Sequence, residues 1–486
     1  MERSVELTRI GLLNMITGFV MFLGLGLLGY AMRLDQAGFW TFDPSVFYEI
    51  MTLHGAGMVV AALIVAIGGL IEVLNGSTPL NTRLLWTGYV IGSLAFAIMV
   101  IAIVVGGVGA GWTMLYPLPY HSLGEWTITA AVAVFVGYFL TAIAFLLYCV
   151  VFLQGTIRAA GSLGKALALR YLFSTGQADA GELPTPPQLV ATVVSLDGIA
   201  TVVFGFVWFI PRFLQAAGLI GSMDALFVKN ILMFYGHMIT NLAMYTALGI
   251  LLAMLPIITG RTLKTSLPIA LALNLVLVGL FVPFGHHLYQ DFAEPKALLI
   301  ISEFAGFAST VPVLLVAILG GLSMIYRSGM KWSVPSILVS LGLWGWAFGG
   351  IAGFMDAAIP INQVTHNTLW VPGHFHTYYL LGVLAFAFAF MYHLITERSG
   401  RRETIISRIA AWLYGIGGAG FVIMFILSGA FSVPRRYAEH IPAWQVPDQI
   451  SVGFVGLLAL ALLWLGGEIF LRFGSAWRGS VAGQAE

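Results

Sequence analysis

The sequence predicts an all-α membrane protein, a bundle of twelve transmembrane helices, and three observations carry that reading. Of 486 residues, 59% are hydrophobic and only 9% charged, against about 25% charged in an ordinary globular domain. The mean hydropathy is +0.94, so too few ionisable groups remain to solvate a soluble enzyme, a secreted scaffold or a disordered chain. Apolar runs of roughly 20 residues, the length that crosses a bilayer, recur between polar or Gly/Pro punctuation.

Taken in order, these runs place helices near 9–31, 47–74, 84–108, 126–153, 190–215, 223–255, 266–283, 297–322, 333–355, 367–395, 405–431 and 450–472. The first follows eight residues of mixed charge, is too long for a signal peptide and lacks an A-x-A site, so it reads as a span. The longest connection, 154–189, holds Arg158, Lys165, Arg170 and a Pro-rich stretch at 183–187. It reads as a surface loop on the cytoplasmic side of one catalytic transmembrane domain covering 1–486. No fixed-period repeat is visible, so a transporter built of inverted repeats gains no support. Gly107, Gly109 and Gly111 form a GxGxG with no strand before it, a poor nucleotide signal.

The net charge of +1 supplies no field for nucleic acid. Cys149 is the single cysteine, so the chain forms no internal disulfide, no CxxCH haem attachment and no cysteine-paired copper centre. Such a redox group would sit on another subunit. Sixteen Lys and Arg residues fall on the side of the termini, from Arg3 and Arg9 to Arg472 and Arg478, against five on the other: Arg33, Arg212, Lys296, Arg435 and Arg436. Lys229, near the outer end of helix 6, completes the 22. The positive-inside rule then puts both termini in the cytoplasm, as expected for a prokaryotic inner membrane protein.

Six of the ten histidines converge. His54 lies about two turns into helix 2, His237 in helix 6, His286 and His287 just after helix 7, and His374 and His376 at the start of helix 10. With the topology above, all six fall at one depth in the outer half of the membrane. A single intramembrane histidine is more often a satisfied structural residue, but six at one depth reverse that weighting. His374 and His376 are about 200° apart on a regular helix, so they face two separate cofactors. Imidazole is the usual axial ligand of haem iron, and three imidazoles suit copper or iron equally well.

These residues carry a resemblance that covers nearly the whole chain. LHGAGMVV at 53–60, GAGWTMLY at 109–116, YGH at 235–237, GHH at 285–287, HNTLWVPGHFH at 366–376 and VPRRY at 433–437 resemble the catalytic subunit of the haem-copper oxidase superfamily, and HNTLWVPGHFH is most similar to its B-type branch. The resemblance implies twelve core helices, a low-spin haem on His54 and His376, a high-spin haem on His374, and a second metal on His237, His286 and His287. It implies that Arg435 and Arg436 bind haem propionates, with His366, Asn367 and Trp370 on the same rim; guanidinium forks suit paired carboxylates. The haems are expected to be of b type. A second subunit, of cupredoxin or cytochrome c type, would bring electrons in. His121, His393 and His440 match nothing and read as structural.

Departures from the family pattern bear on substrate. In the resembling A-type and B-type oxidases a tyrosine follows the helix 6 histidine by four residues and helps to split O–O; here that position is Asn241. Helix 7 supplies no tyrosine either, and Tyr245 lies roughly 6 Å further along the helix. Nitric oxide reductases of the superfamily also lack the tyrosine, and Asn241 could ligate the second metal or bond to NO. Reduction of NO to N2O is therefore favoured over O2 reduction, with a haem-bearing transporter or sensor as a third reading. Three histidines without a carboxylate lean to copper, with iron open. Ile239 and a helix 8 without lysine break both A-type proton routes. Tyr245, Ser309 and Thr310 could relay protons instead, or bond to their own backbone. Glu303 reads either as a proton shuttle or as a hydrogen-bonded structural acid.

Overall fold

The computed structural model describes residues 2–173 and 183–482, which are helical with no strand among them; one isolated bridge joins Thr368 and Pro434. In chain order the helices are α1 (Val5–Gln36), α2 (Pro44–Leu74), α3 (Thr82–Val104), α4 (Ile128–Ala160), the short α5 (Leu163–Ala166) and α6 (Leu169–Phe173), α7 (Pro186–Ala216), α8 (Ala225–Thr259) and α9 (Leu267–Gly279). They continue as α10 (Lys296–Val313), α11 (Gly320–Ile325), α12 (Val334–Ala357), the short α13 (Ile359–Thr365), α14 (Trp370–Tyr378), α15 (Ala385–Ser399), α16 (Ile405–Ala430) and α17 (Pro442–Ala482). A π-helical segment, Leu314–Leu319, fuses α10 to α11, and another, Tyr379–Leu384, fuses α14 to α15.

Helix starts follow from local chemistry. Thr185, Ser333 and Thr404 each close a reciprocal capping box with the residue three positions on, and Asp43 and Asp224 accept from the first-turn backbone. Each satisfies N–H groups that have no partner within the helix. Gly161, Gly260 and Gly400 end α4, α8 and α15 in the left-handed region.

Eleven helices among the described residues are long and apolar enough to cross a membrane. The expected seventh span, 266–283, differs: α9 has 13 residues, or about 20 Å, against the roughly 30 Å of a bilayer core. Its register ends at Gly279, and Pro283, which lacks an N–H, opens a 3-10 turn, Pro283–Leu288. A count of twelve full spans therefore does not follow from helix length. The expected surface loop 154–189 differs as well. Helix α4 runs on to Ala160, and Ala166, Leu167 and Ala168 are buried, with Asn274 Nδ2 donating to the Leu167 carbonyl at 2.9 Å. The charges at 158, 165 and 170 mask this apolar Ala-Leu-Ala core. Residues 174–182 of that connection lie outside the described residues.

One hydrophobic cluster runs through the bundle. Close approach of α1 and α2 depends on small residues: a Cβ on Gly68 would fall 2.7 Å from the Gly11 carbonyl oxygen. Both chain ends lie on one side, where Arg3 and Arg398 meet the buried Glu72 and Arg9 lies 5.7 Å over the Trp477 ring. The opposite side carries the clustered histidines.

Candidate functional site

Helices α2 and α14 bring His54 and His376 face to face, with ring centroids 6.2 Å apart and planes inclined by 17°. His54 Nδ1 lies 2.8 Å from the Leu25 carbonyl and His376 Nδ1 lies 2.7 Å from the Pro372 carbonyl. Each Nδ1 is thereby committed to backbone, which fixes the ring and leaves Nε2 as the ligand atom. Two imidazoles ending on one metal at about 2 Å per bond hold their centroids roughly 6 Å apart, so the pair fits one iron. Gly29 makes the room, since a Cβ there would lie 2.5 Å from His54 Cε1.

His374 leaves the other side of α14. Its ring packs edge-on against Tyr378 at 5.1 Å, and a Cβ on Gly353 of α12 would come within 2.9 Å of its Cε1. Its buried Nδ1 lies toward the Gly349 carbonyl but outside hydrogen-bond geometry. The expected splay of the His374 and His376 rings to different sides of α14 is the arrangement found, and the π segment begins three residues after His376, the kind of irregularity that clusters at functional sites.

His237 of α8 meets His286 and His287 of the 3-10 turn. One ligand atom from each lies within 4.8 Å of the others, as three donors to one ion would. Ring centroids are 5.2, 5.6 and 4.2 Å apart for the three pairs. The turn is pinned from three directions. Lys229 Nζ donates to Asp291 Oδ1 at 2.6 Å, Asn230 Nδ2 to Glu294 at 2.6 Å, and Asn362 Nδ2 to the His286 carbonyl at 3.3 Å. Gly285 is required at its place, because a Cβ would fall 1.9 Å from Ser302 Oγ.

Asn241 follows His237 by one turn, and its Nδ2 donates to the His237 carbonyl at 2.8 Å. Two phenols nearby are committed elsewhere: Tyr379 donates to the Thr240 carbonyl at 2.7 Å and Tyr289 to the Ala357 carbonyl at 3.0 Å.

Above the histidines, the segment after α16 folds onto the start of α14. Leu369 N donates to the Val433 carbonyl and Arg435 N to the Asn367 carbonyl, which sets Arg435, Arg436, His366 and Asn367 together. His366 Nδ1 lies 3.2 Å from Asn367 Oδ1. Burial, and then the neighbouring Arg436, push the Arg435 guanidinium down to about 9. Burial, and then Arg435, push the His366 imidazole down to about 3. A rim that penalises its own positive charge is one that an anionic carboxylate would relieve. Trp370 Nε1 on the same rim is buried without a hydrogen-bond partner. The donors fit propionates, and the imidazoles fit two haems and a second metal.

The remaining expected residues divide. Glu303 accepts from Ile359 N at 3.0 Å and so ties down the start of α13. Ser309 and Thr310 donate to the Gly306 and Phe307 carbonyls of their own helix, at 2.8 Å each. Tyr245 is buried in α8, on the side of His237 toward the chain termini. His121 and His393 stay outside the clusters, and His440 Nδ1 pairs with Asp448 Oδ2 at 2.5 Å. The sequence reasoning missed Arg33, which it counted among loop charges. Helix α1 reaches Gln36, and Arg33 is buried against Asp448 and 4.4 Å over Phe425, which also packs on His376. It also passed over Asp197; each is an ionisable residue inside or beside an apolar run, which was the available signal.

Fold and site together define a helical membrane bundle that gathers six buried or half-buried imidazoles in two clusters and one separate ring. The family model for cytochrome c and quinol oxidase polypeptide I matches residues 9–459, and the chain belongs to that family. The chain is similar to cytochrome c oxidase subunit 1 of Thermus thermophilus, 27% identical over 56% of this chain and 54% of that one. It is similar to cytochrome c oxidase polypeptide 1 of Halobacterium salinarum, 24% identical over 52% of this chain and 42% of that one. The chain thus spans about half the length of these two relatives. Cytochrome c oxidase subunit 1 of Thermostichus vulcanus is 24% identical over 95% of this chain and 82% of its own. A heme-copper terminal oxidase dimer solved by cryo-EM shares the fold, with a TM-score of 0.80 at 19% identity over 96% of this chain and 84% of that one.

Proposed function

We propose that this chain is the catalytic subunit of a nitric oxide reductase, which takes up two NO with two electrons and two protons and releases N2O and water. What supports the reading is Asn241, four residues after His237, at the spacing where the resembling oxidases carry a tyrosine. Its Nδ2 donates to the His237 carbonyl at 2.8 Å, which leaves Oδ1 and one N–H uncommitted one helical turn from His237. An amide there can bond to a bound gas or ligate the metal, but it cannot give up an electron and a proton as a phenol does.

His54 and His376 would hold the low-spin haem, His374 the high-spin haem, and His237, His286 and His287 the second metal, with copper preferred because no carboxylate joins the set. When bound, the high-spin haem and second metal supply the two electrons. The chain's own residues orient the ligand rings, exclude water and carry protons. Arg435, Arg436 and His366 would take the propionates. We further propose b-type haems, a single catalytic domain over 1–486, electron entry from a cupredoxin or cytochrome c type subunit, and a bacterial inner membrane with both termini cytoplasmic.

The second reading is a terminal oxidase reducing O2 to water, and the names of the similar cytochrome c oxidase subunits favour it. The test is gas turnover by the purified complex. Consumption of NO with matching release of N2O, and slow or incomplete O2 reduction, supports the proposal. Clean reduction of O2 to water with NO left untouched overturns it.

A further inference from the structure

Helix α8 ends at Thr259, about 33 Å along its axis from His237. At that end a cleft of about 430 Å3 opens between residues 257–260, the loop 328–331, the start of α12 at Ser333 and Pro335, and His393 of α15. It lies on the side of the chain termini, since Arg398, just after His393 in α15, meets Glu72 there together with Arg3. Its volume falls within the range of about 300–1,000 Å3 typical of small-ligand sites.

The walls are held by the protein itself. Arg261 donates to the carbonyls of Ser323, Met324 and Arg327 at 3.1, 3.1 and 3.0 Å, which fixes the approach to the loop. Ser336 Oγ donates to the Lys331 carbonyl at 2.7 Å, which fixes the loop's end. What this cleft lacks is negative charge. No carboxylate lines it, and among the described residues Lys331 and Arg327 have no acidic partner. Glu397, 3.5 Å from His393 Nε2, is mostly exposed and lies outside the lining. Ser328 Oγ accepts from Met330 N at 3.2 Å, which leaves its O–H free to donate.

The rest of the lining is apolar, with Ile257, Ile258, Met330 and Pro335. Ile257 is exposed, as are Tyr326, two residues before Ser328, and Trp332, between Lys331 and Ser333. Trp332 lies 5.6 Å from the exposed Trp412 of α16. Exposed Trp and Tyr rings at the ends of apolar spans mark the level of lipid headgroups. A cleft at that level that joins an unpaired cation to exposed isoleucine suits an amphiphile with an anionic head. A soluble anion would gain from Lys331 but nothing from Ile257.

We propose that this cleft binds a phosphate group, in the membrane the diester of an anionic phospholipid from the leaflet on the side of the termini. Lys331 Nζ and the Ser328 hydroxyl donate to the phosphate oxygens, and Ile257 and Ile258 take the start of an acyl chain. No covalent bond is made or broken. Because the cleft spans the end of α8 and α15, a bound lipid ties the helix of His237 to the continuation of the helix of His374 and His376.

The experiment uses the purified complex, delipidated in detergent and titrated with phosphatidylglycerol, phosphatidylcholine or inorganic phosphate, with bound lipid counted by native mass spectrometry. The wild type should retain phosphatidylglycerol at a site that phosphatidylcholine does not fill. Lys331→Gln should weaken that binding by about five-fold, the loss expected for one lysine at an anionic surface. Arg83→Gln, at an exposed cation outside the cleft lining, should leave it unchanged. Equal weakening by the two substitutions, or none by Lys331→Gln, overturns the proposal. Phosphatidylglycerol should also slow modification of Lys331 by an amine reagent in the wild type, a measurement that stands even if the variant fails to assemble, and an unchanged rate overturns the proposal equally. Protection by inorganic phosphate as strong as that by the lipid would support the phosphate chemistry and overturn the lipid as its source.

Discussion

His54 and His376 each spend Nδ1 on a main-chain carbonyl, so the tautomer, and with it the ligand nitrogen, is set before any cofactor arrives. Replacing either by Ala should remove the low-spin haem spectrum and leave a ligand-binding high-spin haem, whereas His374→Ala should do the reverse. Optical spectra with both haems intact after either change would contradict the assignment. Asn241→Ala tests a different property. It removes the amide beside the site and a hydrogen bond to the His237 carbonyl, at a cost of about 1 to 2 kcal/mol in stability. NO turnover should fall while both haems remain; unchanged NO turnover would show that the amide has no part in handling the gas. Asn241→Tyr alone is not expected to make an oxidase, because a phenol there would also have to be cross-linked and supplied with protons.

At the scale of elements, the 3-10 turn Pro283–Leu288 does what a regular helix could not, since successive side chains of a helix splay by about 100°. In the turn the His286 and His287 rings stand 4.2 Å apart and both reach His237. His287→Ala should lower the stoichiometry of the second metal and spare both haems, and full metal occupancy would refute the set. The clamp that holds the turn is testable separately. Lys229 and Asp291 are about one-fifth exposed, so Asp291→Asn should cost less than about 1 kcal/mol in global stability yet loosen the turn and reduce second-metal retention on dialysis against a chelator. Retention equal to wild type would place the restraint in Asn230, Asn362 and Gly285 instead. The turn also marks where sequence reading stops. Apolar run length locates the helices, but the end of α9 depends on Gly279 and Pro283 acting together, and neither π segment leaves a hydropathy signal.

The whole molecule separates its polar side chains by depth: Arg3 and Arg398 on Glu72 at the side of the termini, the buried Asp197 and Tyr245 mid-membrane, and the clustered histidines toward the other side. Most of this was legible, because the cost of an ionisable group in lipid makes each intramembrane histidine visible in an apolar run. Contacts made across distant helices were not legible: Arg33 with Asp448, 415 positions apart, and Glu303 with the start of α13. Hydropathy reports how much of a side chain is polar but nothing about which distant helix receives it. Orientation remains a matter of charge, with sixteen Lys and Arg residues on the side of the termini against five opposite. Cys149, the sole cysteine, is buried, so an introduced thiol reports on its own position. In intact spheroplasts a membrane-impermeant maleimide should label Ser222→Cys, between α7 and α8 on the histidine side, and should leave Glu2→Cys unlabelled until the membrane is opened. Both positions are exposed, so failure to react cannot be ascribed to burial. Labelling of Glu2→Cys in sealed cells with protection of Ser222→Cys would invert the topology, and with it the side of the membrane that the clustered histidines lie toward.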